Sequence, residues 1–200
     1  MTAQLRTSSR EARRLQTRER ILGAAIAEFK RAGIAGADVG DIVSIAGVAH
    51  GTFYFHFPTK EHVLVELERR EEARLAAALT GFLKLPHDLT AALSEVARLV
   101  AALKHRVGDR LFKDILALHF SSSRPGTNEW NDHPLVVALV AELERARGAG
   151  EVHAEVDASY HVMFFLMGIY GVLTASQSFE AHDEMLSNLV ASAVRGLEAR

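Results

Sequence analysis

A chain of 200 residues allows one domain or two small ones, and a content of 48% apolar residues is enough to build a buried core. Cysteine is absent, which excludes a disulfide framework and a cysteine-based zinc site and fits a reducing, cytoplasmic environment. The net charge of −2 argues against nucleic acid as a partner of the whole surface.

The charge is nevertheless distributed unevenly along the chain. Residues 1–60 carry nine Lys/Arg and five Asp/Glu, a net charge of +4, whereas residues 61–200 carry 14 and 20, a net charge of −6. A basic first part and an acidic remainder suit a protein that meets phosphate with one end only.

The chain begins with a basic arm, residues 1–16, that lacks the apolar core of a signal peptide. The arm is either a solvated charged tail or the start of a helix, with Ser8 and Glu11 as a capping box. In a helix, Arg10, Arg14 and Arg18 lie on one side, where they could bind DNA phosphates or enter a minor groove. The first helix then continues to Ala32, and Gly33 ends it.

The segment 41–60, DIVSIAGVAHGTFYFHFPTK, predicts two short helices joined by a glycine turn. Gly47 allows the left-handed turn. The second helix packs inward through Val48, Phe53 and Phe57. The polar side chains left outside it are His50, Thr52, Tyr54 and His56. Such a helix-turn-helix places its second helix in the major groove of DNA.

These residues resemble the TetR family of bacterial transcription regulators. The resemblance lies in Ala46-Gly47-Val48, in Gly51 to Pro58 and in Lys60-Glu61. Arg18, Ile21, Leu22, Ala25, Phe29 and Gly33 also match the family's first helix. It covers residues 17–64, about a quarter of the chain. It implies a helix-turn-helix DNA-binding domain at 17–60 and a helical ligand-binding and dimerisation body at 61–200.

The resemblance also implies a set of DNA contacts. With the arginines of the arm, we expect them to be Arg10, Arg14, Arg18, His50, Gly51, Thr52, Tyr54, His56 and Lys60. Ala49-His50 stands where many relatives carry Ser-Lys, and Ala37 to Gly40, including Asp38, replaces a more cationic and hydroxyl-rich stretch. We therefore expect fewer cationic contacts than usual, with the arginines of the arm compensating.

The rest of the chain predicts six further helices and no strand, so the fold class is all-α with about nine helices. They span about 59–83, 89–107, 109–120, 134–147, 158–178 and 183–198, with a Ser-, Pro- and Gly-containing loop at 121–133. The run from Val162 to Ala175 is shorter than the about 20 residues that span a bilayer, so we expect a helix buried on most sides.

Two sets of residues in the body are candidates for binding. The resemblance implies a twofold four-helix bundle, for which we expect the interface residues Gly168, Gly171, Val172, Ala175, Leu189, Ala193 and Leu197. A lipophilic ligand would contact Phe112, Leu116, His119, Phe120, Trp130, Met163, Phe164, Met167 and Tyr170, although the same stripe also suits plain core packing. No spacing of the ten histidines indicates a metal site, and no cofactor is expected.

The predicted function is a homodimeric, ligand-responsive transcription regulator. We expect a repressor that binds a palindromic DNA operator and is released by a small lipophilic molecule, without catalysis. The alternatives are an all-α enzyme, which lacks a recognisable arrangement of catalytic groups, and a membrane-surface protein that uses the basic N-terminal helix. That helix has Leu5 and Leu15 as its only large apolar residues, which disfavours membrane binding.

Overall fold

The computed structural model describes residues 2–127, 129, 133–175 and 179–198, which form nine α-helices. They are α1 (Thr2–Gly36), α2 (Val39–Ala46), α3 (His50–His56), α4 (Lys60–Phe82), α5 (Leu89–Val107), α6 (Asp109–His119), α7 (Pro134–Gly148), α8 (Ala158–Ala175) and α9 (Phe179–Leu197). Among the described residues, β-pairing is limited to one isolated bridge between Val152 and Glu198. The predicted all-α class is confirmed.

The helices form two compact units, and each unit combines two separate segments of the sequence. The first unit contains Met1–Glu68 and Lys113–Pro125, and the second contains Arg69–Phe112 and Gly126–Arg200. This division differs from boundaries at residues 16 and 60, because the start of α4 and the end of α6 pack with the first three helices. A local sequence pattern cannot show such a long-range association.

The basic arm is the beginning of α1 and not a separate segment, since the helix starts at Thr2. Ser8 therefore lies inside the helix and not at its start. Gly33 has φ 75° and ψ 165°, which interrupts the helical backbone at the predicted residue. This conformation is open to glycine and strained for other residues.

The core of the first unit consists of large apolar side chains from four helices. Those of α1 are spaced at helical intervals, so that they form one face against α2, α3 and α4. The buried residues include Ile21, Leu22, Ala25 and Phe29 of α1, Ile42 and Ala46 of α2, Phe53 of α3, Phe57 and Val63.

Residues 113–125 complete this unit through polar contacts. Asp114 accepts a hydrogen bond from the backbone N–H of Ile34 at 2.8 Å. Glu68, 8% exposed, accepts from His119 Nδ1 at 2.5 Å and from Arg124 at 2.9 Å. Burial opposes ionisation of Glu68, but the hydrogen bonds and charges of His119 and Arg124 outweigh it and lower its pKa. The negative charge of this buried carboxylate is thus balanced by two side chains that lie 51 and 56 residues further along the chain.

The second unit buries apolar faces of α5, α7, α8 and α9 against one another. Its core includes Leu93, Val96 and Val100 of α5, Leu139 and Leu143 of α7, Val162 and Ile169 of α8, and Val190 and Val194 of α9. The end of α9 is held by the backbone hydrogen bond from His153 to the carbonyl of Leu197, at 3.0 Å. Helix α9 is therefore tied to the segment before α8.

Helix α8 is less buried than its composition predicts. It has the length and apolarity of a membrane-crossing segment, with a mean hydropathy of 1.4, but a soluble core helix can share both properties. One third of it is buried inside the protein, on the side that carries Val162, Phe165 and Ile169. The opposite side exposes Tyr160, Phe164 and Met167 at helical spacing. The expectation of burial on most sides was wrong, because the helix covers only its inner face within one chain.

Candidate nucleic-acid interface

The turn between α2 and α3 is built as the sequence predicts. Gly47 has φ 62° and ψ 45°, a left-handed conformation, and its N–H bonds back to the carbonyl of Ser44 at 3.1 Å. Arg20 of α1 donates to the carbonyls of Ala46 and Gly47. Its guanidinium thus fixes the turn to α1. Sequence reasoning missed this residue, since Arg20 looks like any other exposed cation on a helix.

The start of α2 accounts for the unusual residues there. The side chain of Asp38 caps the helix and accepts from the N–H groups of Gly40 and Asp41, at 2.5 and 3.3 Å. A Cβ atom on residue 40 would lie 2.7 Å from Asp38 Oδ1. Gly40 therefore makes room for the cap. Asp38 is stabilising here, but its charge disfavours a phosphate near the start of α2.

Helix α3 has an anchored side and an accessible side. Phe53 and Phe57 are 0% and 1% exposed, and their ring centroids lie 6.2 Å apart. The predicted contact residues lie elsewhere on the helix: His50, Gly51 and Tyr54 are exposed, and Thr52 and His56 are half-buried. The rings of His50 and Tyr54 are 6.1 Å apart. The structure thus brings these five residues together on one short, rigid element.

Phe55 is a candidate contact that sequence reasoning missed. Its side chain is 71% exposed, and its ring packs edge-on against His56 with centroids 5.1 Å apart. In the sequence Phe55 stands between Phe53 and Phe57 and reads as another core aromatic. The helical period could have separated them, because positions 53 and 57 share a face that position 55 does not. An exposed aromatic ring here can contact a thymine methyl group or a sugar.

Arg18 has a different environment from that expected for a DNA contact. Its guanidinium donates to the carbonyl of His56 at 2.7 Å and to Glu66 at 3.0 Å. It also lies over the ring of Phe57, 4.1 Å from the ring centroid. Arg18 therefore joins α1 to the end of α3 and to α4. These contacts leave little of the guanidinium for a phosphate.

His56 is biased towards its neutral form. Partial burial lowers the pKa of its imidazole, and the positive charges of Arg18 and Arg14 lower it further. A neutral imidazole has one donor nitrogen and one acceptor nitrogen. His56 can therefore recognise a base edge or a phosphate by hydrogen bonding, without contributing a charge.

Lys60 is also engaged inside the protein. Its ammonium donates to the carbonyls of Ile34 and Ala37, at 2.8 and 2.9 Å. These carbonyls follow the interruption at Gly33, so the lysine stabilises the passage from α1 to α2. One of its three N–H groups remains for another acceptor.

Arg10 and Arg14 are the exposed arginines of the predicted set. Both lie on α1, one turn apart. Arg18 and Lys60 donate their hydrogen bonds within the protein. The accessible cations of the predicted set therefore lie on this part of α1.

The residues predicted to bind a ligand are distributed over both units. Leu116, His119 and Phe120 belong to the first unit, whereas Phe112 and the residues of α8 belong to the second. Trp130 lies outside the described residues. Phe120, Phe164 and Met167 are 56%, 65% and 44% exposed. Met163 and Tyr170 of α8 are half-buried. The shared pocket that the resemblance implies stays a prediction.

The predicted dimer residues also separate into two groups. A Cβ atom on Gly168 would lie 2.9 Å from Leu189 of the same chain, so Gly168 permits packing between α8 and α9. Leu197 is buried, and Leu189 and Ala193 are half-buried on α9. Gly171 and Ala175 are exposed and Val172 is half-exposed on α8. The second group, on α8, continues the exposed side that carries Tyr160, Phe164 and Met167.

We expect Arg18→Ala to destabilise the first unit by about 2–3 kcal/mol, since it removes two charge-assisted hydrogen bonds and the contact with Phe57. Arg14→Ala, one turn earlier on the exposed surface, is the matched control and should leave stability nearly unchanged. Urea unfolding followed by circular dichroism measures both. Equal stability of the two variants, with DNA affinity lost only in Arg18→Ala, would contradict a structural role.

Comparison with known proteins supports this assignment of the helix-turn-helix. The profile of the bacterial regulatory proteins of the tetR family matches residues 21–67. The transcriptional regulator AcrR of Shigella flexneri is 29% identical over 82 residues, which cover 40% of this chain and 38% of AcrR. That match thus spans less than half of AcrR.

Two further similarities extend over most of the chain. The helix-turn-helix-type transcriptional regulator YdgC of Bacillus subtilis is 30% identical over 164 residues, 81% of each protein. The structure of a gamma-butyrolactone receptor, an ArpA-like protein, is 26% identical, with a TM-score of 0.61 over 93% of this chain and 90% of that one. The chain therefore belongs to the TetR family of DNA-binding bacterial transcription regulators.

Proposed function

We propose that this regulator is a homodimeric repressor that inserts α3 into the major groove of a palindromic operator and is released by a small lipophilic ligand. The observation that carries the proposal is the two-sided character of α3: Phe53 is buried, while His50, Tyr54 and Phe55 are exposed. A short helix anchored on one side presents the other side without bending.

The exposed residues of α3 suit different parts of DNA. His50 and Phe55 offer a hydrogen-bonding ring and an apolar ring, which can read base edges. Thr52 and Tyr54 offer hydroxyl donors to phosphates, and Gly51 lets the DNA backbone approach. The negative charges of Asp38 and Asp41 make the start of α2 the weaker side of the interface.

Affinity in this proposal depends strongly on α1. Phosphate contacts supply most of the binding free energy of DNA-binding proteins, and they need cations. Arg10 and Arg14 are exposed, whereas Arg18 and Lys60 donate to acceptors within the first unit. The arm, as the first turns of α1, is therefore placed to hold the phosphates that α3 does not.

The exposed side of α8 supports dimerisation. Tyr160, Phe164 and Met167 form an apolar stripe that is 61%, 65% and 44% exposed. Gly171, one turn further along, has no atom within 4 Å of a Cβ position and allows another helix to approach. A stripe of this kind marks an interaction surface. A twofold dimer also provides two copies of α3 for the two halves of a palindrome.

A relative supports the ligand response in this proposal. The gamma-butyrolactone receptor that resembles this chain is, by its name, a receptor for a small organic molecule. Ligand binding in the second unit would shift the populations of DNA-competent and incompetent states. We place the protein in the cytoplasm, where its operator lies. The family assignment does not favour the enzyme or the membrane-surface alternative.

Selection of bound sites from random DNA tests the function directly. We expect enriched palindromes whose half-sites lie about 34–36 Å apart along the helix axis, the spacing of one DNA turn. The Tyr54→Phe variant should enrich the same sequences with lower affinity, and Thr90→Ala, which removes an exposed hydroxyl of α5, is its control in the second unit. Enrichment of sequences without twofold symmetry would count against the proposal.

Deletion of residues 1–14 should weaken operator binding at least tenfold and flatten its salt dependence. Each lost phosphate contact should reduce the slope of log affinity against log salt by about 0.9. A gel-shift titration at several salt concentrations measures both effects. The double variant Arg10→Gln, Arg14→Gln should also weaken operator binding and flatten its salt dependence, without shortening α1. Lys84→Gln, in the second unit, is the control. An unchanged affinity would remove the arm from the interface.

Met167→Glu should convert the dimer into a monomer, because it places a charge in the centre of the exposed stripe of α8. Analytical ultracentrifugation should show an at least hundredfold weaker dimer. Leu85→Glu, at another exposed apolar residue of the second unit (61% exposed), should leave the dimer intact. A dimer that survives Met167→Glu would place the interface elsewhere.

A further inference from the structure

The second unit contains a cavity of about 280 Å³. Its deep walls are buried apolar side chains from four helices: Leu93 of α5, Leu139 and Leu143 of α7, Val162 and Phe165 of α8, and Leu197 of α9. Of the predicted ligand residues that the structure describes, Phe164 alone lines it. The cavity is therefore a different site from the one that sequence spacing suggested.

Volume and lining limit what the cavity can hold. Its volume equals that of about nine liquid water molecules, which is close to a compact organic molecule with a chain of about eight carbons. The cavity is partly open to solvent, and its buried walls offer no hydrogen bonds, so an apolar group fits against them. The occupant must therefore be mainly hydrocarbon.

Two exposed polar side chains, His161 and Ser192, also line the cavity, and their existing hydrogen bonds define what they can still do. His161 Nδ1 lies 2.9 Å from the carbonyl oxygen of Asp157. A carbonyl only accepts, so Nδ1 carries the hydrogen of this bond. In the neutral ring, Nε2 is then an acceptor. His161 thus requires a donor from the ligand.

Ser192 has the opposite requirement. Its hydroxyl oxygen accepts a hydrogen bond from the guanidinium of Arg195 at 3.1 Å. Because that bond uses a lone pair of the oxygen, the hydroxyl hydrogen is available for donation. Among the lining residues, His161 therefore offers an acceptor and Ser192 offers a donor.

We propose that this cavity binds a small apolar alcohol or phenol, with the ligand hydroxyl donating to His161 Nε2 and accepting from Ser192. A hydroxyl is the simplest group that can both donate to His161 and accept from Ser192. A carboxylate has no hydrogen for His161, and an ether or ester also lacks one. Only the regulatory effect of this ligand rests on the proposed function; the binding itself does not.

Isothermal titration of the full-length protein with 1-octanol, in the absence of DNA, tests the site. We expect one molecule per chain, with an affinity at least tenfold higher than those of two probes of similar size, octanoate and heptyl methyl ether. Tighter binding of octanoate would overturn the proposal, since the charge of Arg195 would then decide the ligand class. Equal binding of the ether would overturn it as well.

Substitutions of cavity residues test whether octanol binds in this cavity. Ala193→Leu extends a side chain into the cavity and should abolish octanol binding, whereas Ser187→Leu, on the exposed side of α9, should not. His161→Phe should reduce octanol affinity about tenfold, to that of the ether, and this variant still tests the site if Ala193→Leu fails to fold. Unchanged binding by both cavity variants would exclude the site.

A second copy of the chain could fill the cavity in place of a small molecule, and the titration detects this. Phe164 belongs both to the cavity lining and to the exposed stripe of α8. The lining also contains three residues predicted at the dimer interface: Leu189, Ala193 and Leu197. If a side chain of a second copy fills the cavity, octanol affinity will fall as protein concentration drives dimerisation. That result would overturn the small-molecule assignment. Failure of octanol to bind would leave operator selection, and with it the proposed function, unaffected.

Discussion

The contacts of Arg18 hold the DNA-binding unit together. One guanidinium reaches the carbonyl at the end of α3, the carboxylate of Glu66 on α4 and the face of Phe57. Helix α3 has seven residues, too few to be stable alone, and its orientation depends on such tertiary contacts. Arg20 acts in the same way on the turn before it. The position of the recognition helix is therefore set from α1.

This use of arginine and lysine affects the electrostatics of the surface. A cation that is hydrogen-bonded to backbone carbonyls still contributes positive potential, but it offers fewer donors to phosphate. Arg18 and Lys60 illustrate the case. The first unit is basic by composition, yet much of its directed hydrogen-bonding capacity is used internally. The number of cations in a domain therefore exceeds the number that is available to bind phosphate, as Arg18 and Lys60 show.

Local patterns predicted most of the helical framework. Gly47 and Gly33 act through backbone conformation, which depends on a few neighbouring residues, and the structure has each in its predicted role. The roles of Arg18 and Lys60 depend on residues 23 to 48 positions away, and their sequence context resembles that of surface cations. The exposure of Phe55 and of the α8 stripe was missed for a related reason. Apolar residues in a sequence indicate surfaces that prefer burial, but not whether the same chain buries them.

The cavity of the second unit could not be predicted from the sequence. An aromatic and methionine stripe gave ligand candidates on α6 and α8, whereas the cavity is lined by five leucines and six other residues of α5, α7, α8 and α9. Leucines at helical spacing are indistinguishable from plain core residues. The distinguishing features are the hydrogen bonds that Asp157 and Arg195 make with His161 and Ser192, which no spacing rule reveals.

The first unit is built from two segments that lie far apart in the sequence, and this limits how relatives can exchange DNA-binding units. Glu68 finds its partners at His119 and Arg124, and Ile34 finds its acceptor at Asp114. A recombination event that joined the first four helices of one regulator to the body of another would separate these residues from their co-adapted partners. Exchange of DNA specificity between relatives should therefore proceed by point changes on α3 more readily than by transfer of whole N-terminal segments. Where such a transfer is engineered, residues 113–125 belong to the cassette.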